Sequence, residues 1–521
     1  MHPMDRRQFI AAATPAALMA MSGLSARALP KEGSARPFSF ELLRARAAEL
    51  AKAPYKAPPT PPATVAKINY DAVQKIKFKP ERALWRDAAS GYPVRLFHVN
   101  EYNQFAVRIH MVTDGTAREL IYSRSDFACS DPAIAQLLPA EDGYSGFRVM
   151  DGGGKETDWL AFQGASYFRS SGQEAQYGAS ARGIAVNTAL ETPEEFPRFV
   201  EFWLEEPAAD APTVTIYALL DGPSITGAYR FDAVKDDGAV MDVSADLFVR
   251  TDIERLGLAP LTSMFWYGSA DRRLATDWRP EIHDSDGLAM WAGNGERIWR
   301  PLLNPTTVRT NSFLDKNPKG FGPMQRQRDF ESYQDDGAFY DKRPSIWIEP
   351  KGDWGEGAVQ LVEIPTIDEI HDNIVAYWQP RKPVKAGDEL AFAYRLYWQN
   401  DEPNPPETLA RVVTTRTGAG GVPGRPHPDD HIKRKFVIDF AGGPLKSMAA
   451  RFDLTPVVTV SDGTIDNAYV IKVVGTDRWR ALFDLRAEGS DPVDLRCYLR
   501  LGDETLTETW MYQYLPEART L

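Results

Sequence analysis

The chain has 521 residues, a formal net charge of −12 and 43% hydrophobic residues. The acidic balance argues against a polyanionic ligand and so excludes nucleic acid; a chain this long exceeds what one hydrophobic core organises, which predicts one large domain and one small one. With only two cysteines, Cys129 and Cys497, no disulfide framework holds the fold, and both are expected as buried free thiols.

Residues 1–28 read as a signal peptide. Arg6-Arg7-Gln8-Phe9-Ile10 precedes an alanine-rich apolar stretch ending at Leu24, and Ala26-Arg27-Ala28 has the small-x-small form of a cleavage site. The paired arginines and the mild apolar stretch fit the twin-arginine type, with an ordinary Sec signal as the alternative. The expected location is the periplasm, with no stable membrane insertion, because the stretch is shorter than the ~20 residues a span needs. Ser39 then caps a short helix in which Phe40, Leu43, Ala47 and Leu50 share a face, and Pro54 ends it before a proline-rich strap over residues 54–62.

From Asp71 to Asn400 short alternating or fully apolar segments are separated by Gly, Pro, Asn and Asp, which predicts strands, as at Pro212 to Leu220 and at Leu390, Phe392, Tyr394, Leu396 and Trp398. Residues 29–400 are assigned to one large, β-rich N-terminal domain. The charged, proline-stiffened segment 401–407 reads as a linker. Residues 408–521, with alternation in Phe436/Ile438/Phe440, Trp479/Ala481/Phe483/Leu485 and Trp510/Tyr512/Tyr514, suit a small immunoglobulin-like β-sandwich. The fold class is therefore all-β. Asp151-Gly152-Gly153-Gly154-Lys155 lacks the ending of a phosphate loop and reads as a hairpin turn.

Polar and aromatic residues alternate most densely from Leu261 to Pro301, and a second polar knot runs from Glu363 to Trp378. Asp284-Ser285-Asp286-Gly287 taken alone is an Asx turn with its glycine at positive φ, and as a calcium loop it is only a fragment. His283 and His371 suit hydrogen bonding behind a site better than a metal, since no third ligand is evident; neither metal nor cofactor is expected. Thirteen tryptophans offer flat faces that suit sugar rings, although a rich β core accounts for most of them. The glycine-rich segment Gly418 to His431 is either a lid or a disordered loop.

Several strings together resemble the periplasmic glucan biosynthesis proteins of the G and D type. They are Trp278 to Leu288, Gly293 to Pro301, Asn317 to Gly322 with Gln325 to Phe330, Arg343-Pro344-Ser345, Pro350 to Gly355, Leu361 to Pro365 and Asp372 to Trp378, extended upstream by Ala165 to Arg169 and Tyr177 to Gly183. The twin-arginine signal favours the D type. The resemblance implies a large sandwich akin to the mutarotase-like supersandwich, a small immunoglobulin-like domain, and a role in making osmoregulated periplasmic glucans with β-1,2-linked backbones. It also implies an acid at Asp372 and a base at Asp284, as in inverting endo-β-1,2-glucanases. Asp372 beside Ile374, Val375 and Tyr377 has the apolar neighbourhood that raises a carboxyl pKa, and Asp284 beside His283, Ser285 and Asp286 the polar one.

Subsite walls are expected from Trp266, Trp278, Trp291, Trp299, Tyr340, Trp354 and Trp378, with Arg279, Arg300, Arg326 and Arg343 reaching sugar hydroxyls and His283 and Asp286 beside the base. Three functions remain open: a glucanase, a transglycosylase that branches or cyclises the polymer with the same carboxylates, and a protein that escorts β-1,2-glucan without cutting it. A homodimer is left open.

Overall fold

A computed structural model describes residues 30–86, 91–138, 143–208, 212–422, 424–426 and 433–516. The signal peptide, with Arg6 and Arg7, lies outside these residues, as do residues 423 and 427–431 of the glycine-rich segment. The regular structure of the described chain is nearly all strand, as alternation predicts, with one sizeable helix, Phe40–Lys52. Ser39 caps that helix by accepting the Leu42 N–H at 3.3 Å. Its buried Leu43 and Ala47 lie on the outer face of a sheet, against Trp203, Tyr217 and Leu219. No helix among the described residues is long and apolar enough to cross a membrane.

Two large sheets pack face to face. The first carries, side by side, the antiparallel strands Arg198–Glu205, Thr213–Asp221, Ile225–Val234, Ala239–Val249, Glu389–Gln399 and Ser345–Lys351. The second runs through Glu356–Glu363, Ile374–Pro380, Leu256–Ser263, Ser180–Arg182, Tyr167–Ser170, Asp158–Gln163 and Tyr144–Met150. Asp151 to Lys155 lies in the connection between the paired strands Tyr144–Met150 and Asp158–Gln163, as the hairpin reading requires. Every second residue of Glu389–Gln399 is buried from Phe392 to Trp398, so its apolar face meets the other sheet. Rings close the space between the sheets: Phe162 stacks on Phe147 and Phe168 and meets Phe231 of the opposite sheet edge-on at 5.1 Å.

Downstream, Arg411–Ala419, Lys433–Ala441, Trp479–Arg486 and Thr464–Lys472 form a four-stranded sheet. It packs on Leu454–Val460, Val493–Leu501 and Thr509–Tyr514 around Phe436, Phe483 and Trp510. These last three strands continue the first large sheet, because Arg297–Pro301 pairs in parallel with Thr509–Tyr514 at Ile298↔Thr509 and Trp299↔Trp510. Segment 401–407 is fastened on both sides: Glu402 is buried against Arg297 at 2.9 Å and Asp401 pairs with Arg411 at 2.7 Å. Both cysteines are free thiols, Cys497 buried and Cys129 half-buried.

Candidate active site

The strand Leu256–Ser263 is buried along its whole length, and the residues that follow its end gather the site. Its partner Ile374–Pro380 is antiparallel, with Thr262↔Val375 and Ser263↔Ile374, so the residues just before Ile374 arrive beside Thr262. Asn373 locks them there. Its amide accepts from the Phe265 N–H at 2.8 Å and donates to the carbonyls of Phe265 and Ile364 at 2.9 Å each. Asp372 is thereby presented at the strand end, where the Thr262 hydroxyl donates to its Oδ2 at 2.9 Å. Asp284 comes to the same place from another segment. Its N–H donates to the Met264 carbonyl at 2.8 Å, and the neighbouring hydroxyls of Ser285 and Ser263 bond at 2.8 Å. Two aspartates distant in sequence are thus fixed to residues 262–264.

Their surroundings differ. Asp372 keeps access to water at the strand end. The burial of its surroundings, and then the charge of Asp284, raise its carboxyl to about 6, against the lowering hydrogen bond of Thr262. Asp284 is buried, contrary to the polar setting its neighbours suggest. Burial pushes its carboxyl up, while the ion pair with Arg343 and the charges of His283 and Arg169 pull it back. Of the two, Asp284 is the one bonded directly to a cation, Arg343.

Of the residues singled out by sequence, Arg343, Tyr340 and Arg279 join Asp284 in one chain of contacts. The Arg343 guanidinium binds Asp284 and lies 4.2 Å over the ring of Tyr340. The Tyr340 hydroxyl donates to Glu369 at 2.5 Å, and Glu369 pairs with Arg279 at 2.9 Å. Arg279 is held by Asp277 at 2.9 Å and Asp335 at 2.6 Å, and beside it Trp278 stands 73% exposed. His283 is fully buried behind Asp284.

The others are engaged elsewhere. Asp286 accepts the N–H groups of Arg326 and Gln327 at 3.0 and 2.9 Å, so it ties down a distant turn instead of forming a local Asx turn. Gly287 does not take positive φ; it opens the strand Gly287–Trp291, and a Cβ there would stand 2.2 Å from the Trp299 indole. Trp299 sits in the second core beneath Arg326, 3.8 Å from ring centroid to guanidinium, and Arg326 binds Glu508 at 2.5 Å. Arg300 is buried against Glu363 at 3.1 Å. Trp354 packs on Trp378, Phe392 and Tyr394 and donates to the Ala393 carbonyl at 3.2 Å; Trp378 is itself fully buried. Trp291 carries Arg297 over its ring at 3.7 Å, and Trp266 packs against Tyr267.

Sequence reasoning missed Thr262, Glu369 and Arg169. Arg169 lies in the strand Tyr167–Ser170, over the ring of Tyr177 at 4.6 Å, and its charge lowers both aspartates. The segment Ala165 to Arg169 carried a signal, since it stood among the resembling strings, but nothing marked its arginine. Among the described residues no cluster of three or more His, Cys, Asp or Glu is placed to hold a metal ion.

Residues 38–514 match the family model described as "Periplasmic glucan biosynthesis protein, MdoG". The chain is 48% identical to "Glucans biosynthesis protein D 2" of Ralstonia nicotianae, covering 98% of both chains. It is 46% identical to "Glucans biosynthesis protein D" of Stenotrophomonas maltophilia, again over 98% of each. The protein of that name from Xylella fastidiosa is 47% identical over 94% of this chain and 92% of its own. With a family match across nearly the whole described chain and relatives this similar end to end, the chain belongs to the periplasmic glucan biosynthesis protein family.

Proposed function

We propose that the chain is an anomer-inverting endo-β-1,2-glucanase with Asp372 as general acid and Asp284 as general base. Asp372 gives its proton to the leaving glycosidic oxygen. Asp284 draws a proton from the water that attacks the opposite face of the sugar ring. Inversion requires carboxyls about 6.5 to 9.5 Å apart, or a hydroxyl relay where the gap is longer. The observation that supports the reading best is the asymmetry of the pair: both aspartates are held at one strand end, but only Asp284 has a bonded cation. The relatives' names support the glucan as the polymer concerned, and the exposed Trp278, linked to Asp284 through Arg279, Glu369, Tyr340 and Arg343, offers a flat face for a sugar ring.

The test is product analysis after incubation with linear β-1,2-glucan. Shorter chains with inverted anomeric configuration are expected. Cyclic or branched products would make the protein a transglycosylase, and bound but unchanged polymer an escort. Asp372→Asn should lower turnover by about 10³-fold, within the range of general acid catalysis, while glucan is still bound. Arg6 and Arg7 fit export in the folded state; replacing both by lysine should keep the protein out of the periplasm, and undiminished export would favour the Sec route.

A further inference from the structure

His283 is fully buried on the two-residue strand Ile282–His283. It stacks on Phe265 at 5.5 Å and meets the edge of Tyr333 at 5.2 Å. Each ring nitrogen faces an acceptor: Nε2 lies 3.0 Å from Glu281 Oε2 and Nδ1 lies 2.8 Å from Gln325 Oε1. The Gln325 amide is locked in that sense. Its Nε2 donates to the carbonyls of His283 at 2.9 Å and Tyr340 at 3.2 Å, and turning it round would set oxygen against two carbonyl oxygens. A neutral imidazole has one N–H and satisfies one of these acceptors; two acceptors require the imidazolium.

The surroundings agree with that charge. Glu281, Asp286 and the Tyr333 phenol are the titratable groups facing the ring, and Phe265 and Gln325 carry none. Burial opposes an imidazolium, but the hydrogen bond and charge of Glu281, with Asp286, offset it and hold His283 above its ordinary value. The ring's charge in turn acts on Asp284. Through Gln325 it also reaches the backbone of Tyr340, on whose ring Arg343 rests.

Resting on the glucanase reading above, we propose that His283 is a permanent imidazolium and a positioning residue, which keeps Asp284 ionised by its charge and steadies Tyr340 and Arg343 through Gln325. It does not touch the sugar. In ¹⁵N NMR of the histidine-labelled protein, with His283→Gln identifying the signal, both nitrogens of His283 should be protonated from about pH 6 to about pH 8. A neutral-tautomer signal in that range overturns the proposal. In His283→Gln the Asp284 carboxyl, followed by ¹³C NMR, should titrate about one unit higher than in the native protein. The acid limb of kcat/KM should move up with it, while KM for glucan stays within about twofold. An Asp284 titration that does not move overturns the positioning role.

Should His283→Gln fail to fold, Glu281→Gln keeps the shape and removes the counter-charge. His283 should then titrate inside the same pH range, and an unaltered imidazolium signal overturns the pairing. The NMR readouts need no turnover. A native protein that binds glucan without cutting it would therefore remove the glucanase reading, while the titrations still decide the charge of His283 and its effect on Asp284.

Discussion

Asp372 binds its proton more tightly in the fold than in the unfolded chain, because its carboxyl is raised to about 6 from an ordinary 3.8. Below the ordinary value both states hold the proton and nothing is lost. As pH rises through that interval the unfolded chain ionises first, and the destabilisation is complete above about 6. Asp372→Asn should therefore melt higher than the native protein at about pH 8, with the gap narrowing as pH falls through about 6 toward 4. A variant that melts lower at every pH would show that the carboxylate makes net favourable contacts. The same titration bears on rate: kcat/KM should decline above about 6 as the acid ionises, the apparent values belonging to the aspartate pair as a unit. The apolar neighbours of Asp372 made its shift legible in the sequence. Asp284 was misread because Ser285 and Asp286 are polar on paper yet turn inward, and the cation bonded to it, Arg343, comes from a distant loop.

Among the elements, the strand Gly287–Trp291 shows how backbone spacing supports the site. Gly287 leaves room for the Trp299 indole, and the following ladder pairs with Arg297–Pro301 on one side and Gly320–Met324 on the other. Gly287→Ala should force the indole aside and destabilise the protein by about 1–3 kcal/mol, read as a lower denaturant midpoint; an unchanged midpoint would mean that Trp299 shifts freely. Alternation revealed individual strands such as Glu389–Gln399, because a sheet with one face inward writes a period of two into the chain. The order of strands was not legible. The contact between Ile298 and Thr509 is a short parallel ladder between remote segments, with no local pattern to announce it. Arg300 and Arg326 looked like sugar-facing arginines for a related reason: composition does not say that Glu363 and Glu508 are buried beside them.

At the scale of the whole molecule, charges buried between the upstream strands and the C-terminal sandwich link the two. Glu508, 2% exposed, accepts from Arg326 at 2.5 Å and from the Val412 N–H at 2.7 Å. Glu508→Ala would leave Arg326 with Glu402 at 4.0 Å as its remaining carboxylate. Stability should fall by about 3–5 kcal/mol, and calorimetry should still show one transition because both cores share the junction. A loss under about 1 kcal/mol would mean that Glu402 alone neutralises the guanidinium. The sheet that runs through this junction also governs the order of assembly. Arg297–Pro301 gains its outer neighbour from Thr509–Tyr514, a strand far downstream in the sequence. That neighbour has to be found across a long sequence separation, so the pace of closing the sheet is set by this search and not by local pairing.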